Sequence, residues 1–188
     1  NLLYIDLPGF GLSHEPNKVY TVYDCVLLLN DVLKSLKIKN PILVGHSFGG
    51  KISLLYASIH QVNKLVVMGS PYDVEIKKLS LKIRVLKQLK KIPGLGKLEN
   101  IVKKNIGSSD YRNASIIMRK ILTDTVNRSI VDSLAKINCE TLIIWGSNDE
   151  AVSLEHAYNL EKLIKNAGLV VYEGASHYAY LERLDQTK

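Results

Sequence analysis

Length, composition and charge favour one globular unit with a good hydrophobic core. The chain has 188 residues, of which 46% are hydrophobic and 23% charged, and it has a formal net charge of +7. Its apolar runs break within about five residues, whereas a membrane-spanning helix needs roughly 20. The sequence therefore excludes a membrane-spanning protein.

The positive charge is concentrated in one segment. Residues 75–128 contain 14 Lys or Arg and 4 Asp or Glu, a net charge of +10, and the rest of the chain contains 11 and 14, a net charge of −3. The segment lacks aromatic interleaving and any nucleic-acid-binding motif, so we expect no nucleic-acid partner. We interpret it as a solvated basic helical surface. Binding to an acidic ligand or to an anionic membrane surface is the lower-ranked alternative.

Short runs of β-branched and aliphatic residues predict a parallel sheet. Their apolarity is nearly continuous rather than alternating, which is typical of strands buried on both faces. Helical patterns over residues 22–36 and 51–58 separate several of them, and strand–helix alternation predicts an α/β fold with right-handed crossovers. The five predicted strands are residues 2–7, 42–46, 65–68, 141–145 and 169–172.

Two further helical patterns interrupt that alternation. Residues 76–92 have apolar positions on one face with lysines around them, and Pro93-Gly94 ends the pattern. Residues 113–134 form the second pattern. We therefore expect residues 74–134 to be an all-helical insertion, between core regions formed by residues 1–73 and 135–188.

A serine framed by glycines follows the second predicted strand. In GHSFGG, Ser47 lies between Gly45 and Gly49, where a strand ends and a helix begins. A strand-to-helix turn of this kind can expose a nucleophile in a strained backbone conformation. Glycines at these positions would let the strand and the helix approach each other closely. The alternative is an ordinary turn serine.

A catalytic serine needs a base, and the base needs an orienting acid. His177 lies in GASHYAYLE just after the last predicted strand, and Asp149 lies in WGSNDEAV just after the strand before it. Asp73 and Glu150 are the alternative acids. The remaining histidines are less well placed, and these are His14, His46, His60 and His156.

Four stretches, DLPGFGLS, GHSFGG, WGSNDEAV and GASHYAYLE, resemble in order and spacing four motifs of the α/β-hydrolase superfamily. The likeness is to its cap-containing bacterial esterase-like members. It implies an α/β-hydrolase-type, mostly parallel sheet flanked by helices, with residues 74–134 as the helical cap. It further implies that Ser47 is the nucleophile, His177 the general base and acid, and Asp149 its orienting acid.

The resemblance also implies roles for the residues around the serine. The backbone N–H of Phe48 would be one oxyanion-hole donor. Gly45, His46 and Gly49 would form the elbow and line the pocket. No metal site, nucleotide loop or cofactor fingerprint is evident, so we expect protein side chains and water to suffice.

The sequence departs from this family at its start. The family's sheet has three strands before the one that resembles residues 2–7, and the loop after its third strand carries the second oxyanion donor. We therefore expect this chain to be part of a longer polypeptide, and the chain as given to be poorly active. The two cysteines, Cys25 and Cys139, have no disulfide-framework spacing and indicate a reducing, cytoplasmic compartment.

The expected function is hydrolysis of small or medium apolar acyl esters by a serine carboxylesterase. C–C bond hydrolase, aminopeptidase and perhydrolase activities use the same three residues and stay open. So does a non-catalytic ligand-binding member of the fold. The sequence says nothing about the oligomeric state.

Overall fold

The computed structural model describes residues 1–74, 111 and 113–188. The predicted helix at residues 76–92 lies outside the described residues, as does much of the predicted insertion. The described elements, in chain order, are α1 (Val22–Ser35), β1 (Ile42–His46), α2 (Phe48–Ile59), β2 (Lys64–Met68), α3 (Ile116–Asn127), α4 (Val131–Leu134), β3 (Glu140–Gly146), α5 (Leu154–Leu163), β4 (Ala167–Tyr172), α6 (Ala179–Glu182) and α7 (Leu184–Thr187).

The four described strands form one parallel sheet in the order β1-β2-β3-β4. The register pairs Leu43 with Leu65, Leu65 with Thr141, and Thr141 with Ala167. Because all strands run the same way, their carboxyl ends lie at one edge of the sheet. The loops that follow the four strands therefore meet at that edge, which we call the carboxyl edge.

Helices pack on the sheet because its central strands are apolar on both faces. Helix α2 has eight buried residues in a row and contacts α1, β1 and β2. In the core, Leu65, Val67, Ile143 and Trp145 have no exposed surface. The predicted α/β fold with a parallel sheet flanked by helices is confirmed.

Helix α1 begins where a capping box predicts a helix start. The Thr21 side chain accepts a hydrogen bond from the Asp24 N–H at 3.2 Å, and the Asp24 carboxylate accepts one from the Thr21 N–H at 2.8 Å. Both bonds satisfy N–H groups that the first helical turn cannot pair.

The prediction of a strand at residues 2–7 is wrong. The segment has no regular secondary structure, and Leu2 and Tyr4 are 86% and 88% exposed. A strand requires a neighbour to pair its backbone groups. Within the described part of the chain, residues 2–7 pair with none of the four strands, and β1 pairs only with β2.

The second helical pattern, over residues 113–134, corresponds to α3 and α4. Helix α3 is capped by Ser115, whose side chain accepts a hydrogen bond from the Met118 N–H at 3.1 Å. The assignment of residues 74–134 to a cap remains a prediction. In the described ranges, no helix is both long and apolar enough to cross a bilayer.

Candidate active site

Ser47 lies at the turn between β1 and α2 in a conformation that L-residues rarely adopt. Its backbone angles are φ 51° and ψ −115°. The Ser47 N–H donates to the Met68 carbonyl at 2.9 Å, which fixes the turn to the end of β2. Strain of this kind persists only where the surrounding structure enforces it, and it is concentrated at functional sites.

Two glycines, Gly45 and Gly50, permit this tight turn, and only Gly45 is one of the two that we predicted. A Cβ at Gly45 would lie 2.7 Å from the Gly49 carbonyl oxygen and from the Gly50 Cα, so strand and helix can meet only without a side chain there. A Cβ at Gly50 would lie 1.7 Å from Ser70 Oγ. A Cβ at Gly49 would meet no described atom within 4 Å, so the close approach expected there belongs to Gly50.

Asp149 and His177 form a hydrogen-bonded pair at the carboxyl edge. Asp149 Oδ2 lies 2.8 Å from His177 Nδ1, and the two side chains are 0% and 17% exposed. The other carboxylate oxygen accepts hydrogen bonds from the N–H groups of Ala151 at 2.8 Å and Val152 at 2.9 Å. These bonds fix the carboxylate, which in turn holds the proton of His177 on Nδ1 and leaves Nε2 as the basic nitrogen.

Two further glycines, which the sequence analysis did not single out, make room for this pair. Gly69, at φ 52°, follows β2, and a Cβ there would lie 3.0 Å from His177 Nδ1 and 3.2 Å from Asp149 Oδ2. A Cβ at Gly146 would lie 2.2 Å from the Ser176 carbonyl oxygen. A glycine at the end of a strand, before a candidate loop, is the signal that could have identified both.

The same contacts connect the pair, through the end of β2, to the turn that carries Ser47. Ser47 bonds to Met68, and the imidazole of His177 lies over Gly69, the next residue. The structure therefore brings Ser47, Asp149 and His177 to one edge, after β1, β3 and β4 respectively.

The alternative acids are bound elsewhere or exposed. A hydrogen bond from the Ser129 side chain lowers the pKa of Asp73, and a bond from the Val74 N–H at 2.8 Å contributes. Glu150 is exposed. Of these three carboxylates, Asp149 is the one hydrogen-bonded to the His177 imidazole, so the geometry favours it as the orienting acid.

The other histidines lie in different settings. His14 is exposed, and His60 packs on Tyr56 with ring centroids 4.5 Å apart, beyond the end of α2. His156 packs on Tyr72 at 5.1 Å. His46 alone among these four contacts His177.

An aromatic pair lies next to the elbow. The rings of Phe10 and Phe48 stack with centroids 5.5 Å apart, and Phe48 is the residue after Ser47. The loop that carries Phe10 is held by Asp6, whose carboxylate accepts the Leu12 N–H at 2.9 Å. Together these rings provide an apolar wall beside the serine.

Helix α2 also carries a buried cation. Lys51 has no exposed surface, and its Nζ donates to the carbonyl oxygens of Thr125, at 2.6 Å, and Arg128. Burial lowers the pKa of Lys51 to about 8, although Asp73 and Asp124 oppose the shift. This ammonium caps the carboxyl end of α3 and joins it to the elbow helix.

No metal site is found in the part of the chain that the structure describes: no three His, Cys, Asp or Glu side chains cluster there so as to hold an ion. The carboxyl edge brings together a serine hydroxyl and an imidazole–carboxylate pair. Such a constellation suits nucleophilic attack on an acyl group.

The chain is similar to several known hydrolases. It is 28% identical over 200 residues to a 2-hydroxy-6-oxo-2,4-heptadienoate hydrolase from Pseudomonas putida, covering 95% of this chain and 72% of that protein. It is 26% identical over 213 residues to Lipase 1 from Psychrobacter immobilis, covering 100% of this chain and 66% of that protein.

Among solved structures, an esterase from Exiguobacterium antarcticum superposes with a TM-score of 0.70 at 23% identity, covering 96% of this chain and 76% of that one. A likeness at this identity concerns the fold. The family model described as alpha/beta hydrolase fold matches residues 1–93 and 82–184, nearly the whole sequence. The chain therefore belongs to the alpha/beta hydrolase family.

Proposed function

We propose that this chain is a serine hydrolase that cleaves carboxylic esters of small or medium apolar acyl groups through an acyl-enzyme on Ser47. The observation that carries the proposal is the 2.8 Å bond between Asp149 and His177 beside the strained turn of Ser47. A serine in an ordinary turn would need neither the strained backbone conformation of Ser47 nor an imidazole nearby.

In the proposed reaction, Ser47 Oγ attacks the ester carbonyl carbon while His177 Nε2 takes the hydroxyl proton. Asp149 stabilises the resulting imidazolium through the hydrogen bond at Nδ1. The tetrahedral intermediate collapses, the ester C–O bond breaks, and His177 returns the proton to the leaving alkoxide. Water, deprotonated by the same imidazole, then attacks the acyl carbon. The bond from that carbon to Ser47 Oγ breaks, His177 returns the proton to Ser47 Oγ, and the acid leaves.

The start of α2 would stabilise the charge on the intermediate. The N–H groups in the first turn of a helix have no intrahelical acceptor, and the helix dipole favours negative charge there. The first helical bond of this region runs from the Lys51 N–H to the Ser47 carbonyl at 3.1 Å. The earlier Phe48 N–H is thus the proposed oxyanion donor.

An apolar acyl chain fits the wall formed by Phe10 and Phe48. Met118 of α3 lies against the same loop, since a Cβ at Gly9 would be 2.3 Å from its Sδ. A substrate with an apolar acyl group would bury surface against these side chains, at about 25 cal/mol per Å².

The test is hydrolysis of p-nitrophenyl acetate, butyrate and octanoate by the purified chain. Ser47→Ala should abolish hydrolysis, and Asp149→Asn should lower kcat by at least about 10³-fold because the imidazole loses its orientation. Glu150→Gln, at the adjacent exposed carboxylate, is the matched control and should leave kcat unchanged. Hydrolysis that persists unchanged in Ser47→Ala would contradict the proposal.

Carbon–carbon bond hydrolysis is the second candidate, and the Pseudomonas putida relative favours it. It would use the same three residues on a 2-hydroxy-6-oxo-dienoate. If the chain turns over such a compound faster than any ester, with loss in Ser47→Ala, that assignment replaces esterase activity.

A further inference from the structure

His46 connects the nucleophile's strand to the histidine of the pair. It is the last residue of β1 and precedes Ser47 directly. Its Nε2 lies 2.9 Å from the main-chain carbonyl oxygen of His177, 131 residues away in sequence. A carbonyl oxygen only accepts hydrogen bonds, so the proton of His46 must be on Nε2.

The ring of His46 also forms the surface on which the His177 loop packs. Its centroid lies 4.6 Å from that of His177, 5.0 Å from that of Tyr178 and 5.2 Å from that of Tyr180. Tyr178 in turn contacts the His177 ring edge-on at 5.5 Å. His46 therefore touches both the side chain and the backbone environment of His177.

The two hydrogen bonds of His177 fix different parts of the residue. Asp149 binds the imidazole at Nδ1 and sets the rotation of the ring. His46 binds the main-chain carbonyl and sets the position of the backbone relative to β1. Since Ser47 follows His46 in the chain, this second bond fixes the base relative to the nucleophile.

We propose that His46 is a positioning residue that holds His177 in reach of Ser47 through the Nε2–H bond to the His177 carbonyl. The expected effect on the reaction rate rests on the proposed function, whereas the hydrogen bond between His46 and the His177 carbonyl does not. Displacements of the base by about 1 Å can cost as much as 10²-fold in rate, so a bond of this kind has a measurable effect.

Two substitutions separate the hydrogen bond from the ring packing. His46→Phe keeps an aromatic ring against Tyr178 and Tyr180 but has no donor. His46→Gln loses the ring but keeps an amide N–H at similar reach. For p-nitrophenyl acetate we expect His46→Phe to lower kcat about 5- to 10-fold with KM within about 2-fold, and His46→Gln to recover most of the loss. His60→Phe, at a histidine away from the carboxyl edge, is the control and should match the wild type.

A second measurement does not depend on activity. In ¹⁵N-histidine NMR spectra, the wild type should show His46 as the Nε2–H tautomer and His177 with a hydrogen-bonded Nδ1–H. His46→Phe should shift or broaden that His177 resonance, whereas His46→Gln should preserve it. This readout also decides the case if His46→Phe does not fold, because the wild-type tautomer and the glutamine variant remain.

The outcomes distinguish the two proposals. A wild type whose hydrolysis does not exceed that of Ser47→Ala would overturn the proposed function, and the NMR result alone would then test the contact between His46 and His177. An active wild type whose His46→Phe variant has the same kcat and the same His177 resonance would overturn the positioning role. An Nδ1–H tautomer at His46 would overturn it as well.

Discussion

Replacing the buried Lys51 by methionine should change how the free energy of unfolding depends on pH. The pKa of Lys51 is lowered by burial to about 8, from 10.5. The unfolded chain therefore binds more protons than the folded chain between these values, and stability rises with pH across that window. Below about pH 8 the folded protein bears the cost of a buried charge, and above about pH 10.5 it does not.

The magnitude follows from the two pKa values. From pH 7 to pH 9.5, the wild type should gain about 2 kcal/mol of stability relative to Lys51→Met. At pH 7 the methionine variant still leaves the carbonyls of Thr125 and Arg128 without their donor, which costs about 1–3 kcal/mol each if they stay buried. The difference in the free energy of unfolding between wild type and Lys51→Met at one pH therefore combines opposing effects. The change of that difference with pH reports only the titration of the Lys51 ammonium.

The assay is urea unfolding at pH 7.0, 8.0, 9.0 and 9.5, followed by the fluorescence of Trp145, the single tryptophan, which is fully buried. Lys34→Met removes an exposed lysine of α1 and serves as the control. A difference between wild type and Lys51→Met that stays constant over this range would refute the reasoning about burial.

Three further substitutions test the elbow and the first helix. Gly45→Ala should destabilise the protein by about 1–3 kcal/mol, because its Cβ would lie 2.7 Å from backbone atoms of Gly50, and urea unfolding measures the loss. Ser47→Gly should be about 1 kcal/mol more stable than Ser47→Ala, since glycine adopts a φ of 51° without strain, and equal unfolding midpoints would argue against strain at that turn. Thr21→Ala should cost about 1 kcal/mol by removing the capping box with Asp24, and an unchanged melting temperature would contradict that role.

The sequence predicted the parts of the fold that depend on local pattern. Continuous apolar runs located β1 to β4, a signature typical of strands buried on both faces, although the burial of the edge strands β1 and β4 alternates among the described residues. The run at residues 2–7 has the same signature but no pairing partner among the described strands, and pattern alone does not reveal whether a partner exists. Whether an apolar run forms a strand therefore depends on a neighbouring strand that can pair with it, as well as on its own sequence.

The candidate site was predictable where residue type and chain order were sufficient. Ser47, Asp149 and His177 each follow a predicted strand, and the parallel order of the sheet brings such loops together. The contacts of Gly50 and Lys51 were not predictable, because they depend on which side chains pack across α2. Nor does the sequence indicate that His46 faces the backbone of His177.

The most direct test of the central claim is covalent labelling with a fluorophosphonate, with the modified peptide located by mass spectrometry. The account predicts one label on Ser47, absent in Ser47→Ala and strongly slowed in His177→Gln, because only a serine with an adjacent base reacts at a useful rate. Folded protein that does not label at Ser47, or that labels equally fast without His177, would contradict the account.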